Sequence, residues 1–600
     1  MKNTAHFAFW PRRVPRQLVY PKVPLFEFLE TSARRYPDTP AIIYYGARIS
    51  YSRLADEARR TAAVLFGLGV KTGDRVALYL QNTPHFAAGF YGILRANAVV
   101  VPINPMFTER EVLPLLTDSG AVAAITTADL CQRLVNVRDQ CALDHILVGE
   151  YKDYLPDNPE LPVPEFMQAD IEAGNDTIRP WRRSLENTDA SPPAQEAHCE
   201  DMALLPYTSG STGVPKGCVH THSTVISNTL SSAVWHNMVA GNVMLATLPL
   251  FHVTGLVHSM LAPVYAGATM VMLTRWDRQA ALEAIEKYGC THWTNITTMV
   301  IDILNDPGIS GRDLSSLMIV GGGGAPLPEA VGQKLMELTG QQYVEGYGMT
   351  ETISQTHFNP PDRPKLQCIG IPDFGVDARI IDLDTAEQLG TGEQGELVIN
   401  GPEVMEGYWK KPEENEKNFI IIEDKWFLRT GDICSMDNEG YFYVVDRSKR
   451  MINAAGYKVW PAEVEGVLYQ RRDVLTGILN GIDTEQWNPA TDPHLPAHYD
   501  AQSFAQGKPA CKAALQKEVV LPQRPEVPLF GFVGRLIEQK GIDLVAEVMR
   551  HWLPTDDAQW VVLGTGEPEY HRLLESLAQR FPDKAAVRLE FSDPLARRIE

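Results

Sequence analysis

Paired cysteines, long apolar runs and positive charge are what this 600-residue sequence is short of. Its eight cysteines (131, 141, 199, 218, 290, 368, 434 and 511) are scattered with no C-x-x-C pair. That excludes a dense disulfide framework or a spaced zinc site and points to reduced thiols. No segment approaches the ~18 consecutive apolar residues of a membrane span, and the opening MKNTAHFAFWPRRVPRQ has no apolar stretch of signal-peptide length after its arginines. A cytoplasmic chain is expected. Lysine and arginine number 54 against 75 aspartates and glutamates, a formal charge of −21. Such a balance repels nucleic acid and anionic membrane surfaces, so neither is expected as a partner.

What is present is the composition of an ordinary globular protein, 44% apolar and 22% charged. At ~150 residues each the length allows up to about four domains. From residue 25 onward, segments with helical spacing alternate with short apolar runs: helices over 25–37, 53–67 (capped by Ser52), 84–96 and 109–119, strands over 42–45, 75–80, 99–103 and 122–126. Residues 152–200, rich in Pro, Asp, Glu and Asn, read as a surface excursion. The alternation then resumes with helices over 222–238, 256–265 and 278–288 and strands over 243–248, 269–273 and 317–320. This order predicts an α/β fold of parallel sheets flanked by helices. After about residue 370, short alternating strands with Gly/Pro turns (VDARIID, GELVING, YFYVVDR) predict a small β subdomain.

The most telling stretch is 207–217, YTSGSTGVPKG. Glycines Gly210 and Gly213 let the backbone bring several N–H groups to one anion, Thr208, Ser209, Ser211 and Thr212 add hydroxyls, and Lys216 adds a mobile positive charge. The common triphosphate loop G-x-x-x-x-G-K-[ST] is not matched here, because Lys216 lies between Pro215 and Gly217. A flexible linker is the plain alternative, although a linker needs neither the Pro-Lys-Gly exit nor an apolar strand at its entrance.

The run resembles the phosphate-binding signature of the adenylate-forming superfamily, which includes acyl-CoA synthetases, adenylation domains of peptide synthetases and beetle luciferases. Further stretches follow in that family's order. PLFHVTG (249–255) carries His252, which the resemblance implies beside the reacting carboxylate; a lone histidine among apolar residues is otherwise a core residue more often than not. GGGGAPL (321–327) carries Gly323, Gly324, Ala325 and Pro326, implied to border adenine and otherwise an ordinary tight turn. EGYGMTET (345–352) carries Glu345, Gly346, Tyr347, Gly348, Met349, Thr350 and Glu351. By the resemblance Tyr347 stacks on adenine, Thr350 meets phosphate, and Glu351 with Thr208 holds Mg²⁺, a cation that favours one or two carboxylates plus substrate phosphates. RTGD (429–432) supplies Asp432 for the ribose hydroxyls, and DRSK (446–449) supplies Arg447 for ribose or α-phosphate and Lys449 at a hinge. Asn453 stands where many relatives carry lysine. The implied catalytic set is Lys216, His252, Thr350 and Glu351. The implied reactants are ATP, a fatty or aromatic carboxylic acid and coenzyme A, with the acyl pocket walled by residues 225–235, 252–256 and 321–324.

The family pattern stops just after PAEVE (461–465). Residues 474–493 and 529–544 (LFGFVGRLIEQKGIDL) instead resemble the start of the second Rossmann-like domain of bacterial glycogen or starch synthases. That resemblance implies vestigial ADP-glucose contacts at Arg535 and Lys540. Lys540 falls at about the distance from the hinge where a synthetase's catalytic lysine would lie, but its neighbours GRLIEQKGID do not resemble that tail. The expected organisation is therefore an adenylate-forming domain over 1–447, a hinge and truncated start of the synthetase C-terminal domain over 448–465, and a partial glycosyltransferase-type Rossmann domain over 466–600. A glucosyltransferase fragment and a non-catalytic nucleotide-binding chain are the competing expectations.

Overall fold

The computed structural model describes residues 5–168, 177–188, 191–208, 215–447, 452–454, 457–459, 488–500, 503–537 and 540–599. They fall into two compact units, 1–472 and 473–600.

The first unit is built on two large sheets. In one, strands Tyr343–Met349, Ile319–Gly322, His292–Asn295, Val243–Ala246, Thr269–Met272 and Pro40–Tyr44 lie side by side in parallel, with antiparallel strands Ser354–Phe358 and Ala47–Ser50 at the flanks. In the other, Met202–Leu204, Val99–Pro102, Arg75–Tyr79, Ala123–Thr127, His145–Gly149 and Ile178–Pro180 are parallel, and Lys216–Thr221 and then Gly407–Tyr408 extend one side in antiparallel pairing. These central strands are almost wholly buried, as parallel strands covered on both faces must be. Helix Pro84–Arg95 is apolar on every side and buried along its length up to Leu94, so it packs as a core helix against Tyr51–Gly67. A third, antiparallel sheet runs Asp377–Ile381, Gly395–Asn400, Lys425–Met436, Phe419–Ile422, with Phe442–Arg447 beside the long strand.

Several expectations are corrected. Ser50, not Ser52, caps the helix Tyr51–Gly67, its hydroxyl accepting from the Arg53 N–H at 3.2 Å. The segment 152–200 is not merely a surface excursion: Ile178–Pro180 adds an edge strand, and Trp181 and Leu185 of the helix after it are buried. The helix expected over 256–265 is broken into Val253–Leu256, a wider π-helical turn Val257–Leu261, and Ala262–Ala266. Asp432 lies inside the twelve-residue strand Lys425–Met436. Strand His292–Asn295 and helices Thr297–Leu304 and Glu329–Thr339 had no assignment from periodicity.

The second unit carries three parallel strands in the order Leu529–Val533, Gln559–Leu563, Ala585–Arg588. Helices Ile542–Thr555 and Pro568–Arg580 connect them, and their buried faces form an apolar core around Ile542, Met549, Leu553, Trp560 and Leu574.

Candidate active site

The strand Lys216–Thr221, the loop after Tyr343–Met349 and the short strand Gly407–Tyr408 come together. Strand Lys216–Thr221 pairs Lys216 with Thr208, and pairs Cys218 with Tyr408 on its other side. This places the Lys216 ammonium 5.0 Å above the Tyr408 ring and in an ion pair with Glu414. The Tyr408 hydroxyl donates to Glu351 Oε1 at 2.7 Å. The main chain locks the same junction, since the Met405 N–H donates to the Glu351 carbonyl at 2.9 Å and the Trp409 N–H to the Gly217 carbonyl at 2.8 Å. Lys216, Tyr408 and Glu351 thus form a continuous charged and hydrogen-bonded chain.

Glu351 is buried, and that burial raises its carboxyl above the ordinary 4.5. The Tyr408 hydroxyl and the Lys216 charge oppose the rise, whereas the Asp432 charge adds to it. The residue is a desolvated carboxylate short of positive charge, which is the condition of a cation ligand. Thr350 beside it is fixed through its carbonyl by His220 Nε2 at 2.8 Å. A carbonyl only accepts, so His220 carries its proton on Nε2; burial lowers its pKa to about 4 and keeps the ring neutral.

Asp432 accepts from the Tyr347 hydroxyl at 2.5 Å and lies opposite Arg447 across paired strands. Charge–charge repulsion with Asp432 and burial both hold the Tyr347 phenol protonated, burial being the larger cause. Glu345 uses its two carboxylate oxygens to accept the N–H groups of Leu327 at 2.8 Å and Cys368 at 3.0 Å, so its side chain shapes the glycine turn. The turn itself lies against the strand: a Cβ on Gly323 would stand 2.5 Å from the Gly346 carbonyl oxygen, so only glycine permits that approach. Gly324, Ala325 and Pro326 are exposed beyond it.

His252 caps the helix Val253–Leu256, Nδ1 accepting from the Thr254 N–H at 3.4 Å. Its ring reaches solvent yet is hemmed in closely enough that desolvation lowers its basicity. Among the described residues no hydrogen bond or ion pair joins it to Lys216 or Glu351. Helix His222–Trp235, the expected acyl wall, is buried along nearly all its length. Ser209, Gly210, Ser211, Thr212, Gly213 and Lys449 lie outside the described residues, as does the Arg447 side chain. Arg535 and Lys540 are exposed in the second unit, after strand Leu529–Val533.

Tyr408, Glu414 and His220 escaped the sequence reading. Tyr408 and Glu414 fall in GYWKKPEE, which has no glycine-rich or catalytic look, and only strand pairing brings them to Lys216. A cavity of about 230 Å³ lined by His6, Trp10, Arg16, Asp373 and Phe442 involves none of the motif loops.

The chain as a whole is similar to known proteins. The long-chain-fatty-acid–CoA ligase of Bacillus subtilis (strain 168) is 34% identical over 485 residues, covering 79% of this chain and 86% of that protein. The feruloyl-CoA synthase of an Amycolatopsis species is 32% identical over 461 residues, 76% of this chain and 85% of its own. The crystal structure of a long-chain-fatty-acid-CoA ligase from Archaeoglobus fulgidus superposes with a TM-score of 0.64 at 25% identity, covering 77% of this chain and 88% of that one. The profile of the AMP-binding enzyme family matches residues 29–409, a span that takes in the phosphate-loop strand, the Glu351 loop and Tyr408, and the chain belongs to that family.

Proposed function

We propose that the first unit is an AMP-forming acyl-CoA ligase that activates a fatty acid, or an aromatic acid of similar reach, as its acyl-adenylate. The observation that supports this reading is the Lys216–Tyr408–Glu351 chain with Asp432 and Tyr347 close by. A free carboxylate is a poor acyl donor because oxide would have to leave. Joined to AMP, it becomes a mixed anhydride whose leaving group is good, and a thiol such as that of CoA can displace it. Attack of the carboxylate oxygen on the α-phosphorus builds negative charge on the phosphate oxygens as pyrophosphate departs. Lys216, once released from Glu414, and the N–H groups of the loop before it stabilise that charge. Asp432 accepts from the ribose hydroxyls, Tyr347 presents its ring to adenine, and Glu345 holds the turn of Gly323 to Pro326 against the base. His252 lies on the acyl side.

Mg²⁺ suits this donor set. Among the described residues no group of three or more His, Cys, Asp or Glu could hold a metal by itself. Glu351, with the Thr208 hydroxyl, offers the single-carboxylate arrangement that Mg²⁺ takes when nucleotide phosphates complete its shell. Bound there, Mg²⁺ would supply Lewis-acid charge stabilisation of the phosphates.

For the second unit we infer a partial glycosyltransferase-type Rossmann segment, with Arg535 and Lys540 as vestigial phosphate contacts; the parallel order of its three strands supports this. It does not resemble the synthetase C-terminal domain. Adenylation is accordingly expected to be reduced, and thioester formation more so. Soluble reactants suit a cytoplasmic enzyme, and no described helix is long and apolar enough to cross a membrane.

Acid-dependent ATP–pyrophosphate exchange tests the reading. Exchange is expected with a member of a fatty and aromatic acid panel, falling by about 10²–10³ in E351Q. No exchange with any acid would defeat the proposal, and full CoA ligation would defeat the claim of an incompetent tail. ADP release from ADP-glucose with glycogen would instead favour the glucosyltransferase reading.

A further inference from the structure

The loop that carries Thr350 and Glu351 leaves by an unusual path. Ile353 has φ +52° and Ser354 has φ +144°, two successive non-glycine residues in the region that favours glycine. A β-branched side chain is rarely found there, and Ile353 is fully buried. Such a conformation persists only where its surroundings over-determine it. Three contacts do so. The Thr352 hydroxyl accepts from the Met349 N–H at 3.1 Å and lies 2.8 Å from the Ser354 carbonyl, to which it donates. The Asn228 amide donates to the carbonyls of Thr352 at 3.1 Å and Gln355 at 2.8 Å, gripping the turn from both sides. The third contact comes from His258.

His258 is buried in the π-helical turn Val257–Leu261, which follows directly on the helix Val253–Leu256 that His252 caps. Its Nδ1 lies 2.7 Å from the Ser232 hydroxyl, and its Nε2 lies 3.2 Å from the Ser354 hydroxyl. Each serine can donate or accept, so one neutral imidazole tautomer satisfies both bonds. Burial lowers the ring's pKa to about 4, which keeps it neutral near physiological pH.

We propose that His258 is a positioning residue: through Ser354 it holds the strained turn that aims Glu351, tying the His252 segment on the acyl side to the loop that receives the magnesium nucleotide. The inference rests on the reading of Glu351 given above, and it adds a residue outside every sequence motif. A glutamine amide reaches the place of Nε2, whereas an asparagine reaches only that of Nδ1. The two substitutions therefore separate the Ser354 bond from simple filling of space.

Calorimetric titration of the full chain with ATP, once with Mg²⁺ and once with EDTA, tests this in the wild type and in H258N, H258Q, S354A and S232A. The expected result is about 10-fold weaker Mg·ATP binding in H258N and S354A, with binding in EDTA unchanged, and with H258Q and S232A within about 3-fold of wild type. A packing role alone would lower the melting temperature of H258N and H258Q alike and leave the Mg²⁺-to-EDTA affinity ratio constant. An unchanged ratio in S354A and in folded H258N overturns the proposal, and S354A decides alone if H258N does not fold. A wild type that binds no Mg·ATP also overturns it. A wild type that binds Mg·ATP but supports exchange with no acid removes the acyl-ligase reading while the affinity ratios still decide the role of His258.

Discussion

Replacing Tyr408 by phenylalanine isolates one bond at the centre of the site. Y408F keeps the ring under Lys216 and removes the hydroxyl that donates to Glu351 at 2.7 Å. A buried hydrogen bond to a charged group is worth about 1.5–3 kcal/mol, against about 0.5–1.5 for a neutral pair. The cost must therefore depend on whether Glu351 is ionised. Glu351 has a folded pKa above its ordinary 4.5, chiefly through burial, so it contributes stability that is fully present below 4.5 and lost as pH rises through the folded value. Removing the donor raises that value further and deepens the loss. The expected penalty is about 1.5–3 kcal/mol at pH 8, shrinking toward the neutral-pair range near pH 4. Local opening reads it directly, because the Met405 N–H donates to the Glu351 carbonyl. Hydrogen exchange of the peptide over 405–409 in Y408F is expected to be about 10 to 150 times faster than wild type at pH 8. The ratio should fall several-fold near pH 4, intrinsic exchange cancelling at each pH. An equal ratio at both pH values, or no acceleration at pH 8, would refute the claim that Tyr408 holds an ionised, desolvated Glu351.

Two further outcomes are expected away from Glu351. Asp373 is fully enclosed, bonded to Ser231 and to the Phe374 N–H at 2.7 Å, and burial raises it from 3.8 to about 6. Wild-type stability should drop between roughly pH 4 and 6 by up to about 3 kcal/mol from this group, and D373N should flatten that drop; parallel pH profiles of denaturant midpoint would contradict this. In G255A the new Cβ would stand 2.1 Å from the Pro249 carbonyl oxygen, backbone that cannot swing aside. A loss of about 1–3 kcal/mol is expected, read by thermal unfolding beside G311A, where nothing lies within 4 Å and the change should stay within about 0.5 kcal/mol.

The alternation of strand and helix was legible because its signals are local. Helices Glu109–Ser119 and Arg278–Tyr288 and strand Arg75–Tyr79 lie where periodicity puts them. Glycine-rich loops were legible for the same reason, since the backbone freedom they need is written in a few adjacent residues. Apolar spacing could not show the wider turn Val257–Leu261, because one added residue in a helix leaves no mark in a fully buried run. Nor could it assign Tyr408, Glu414, His220 or His258. Each is an ordinary residue whose role comes from a partner 57 to 198 positions away, as in Tyr408 with Glu351 or Lys216 with Glu414. By itself the sequence determined which short loops favour a nucleotide and in what order they come. The tertiary structure alone decided which buried side chains aim them, because strand pairing and desolvation depend on residues that are neighbours only after the sheets have formed.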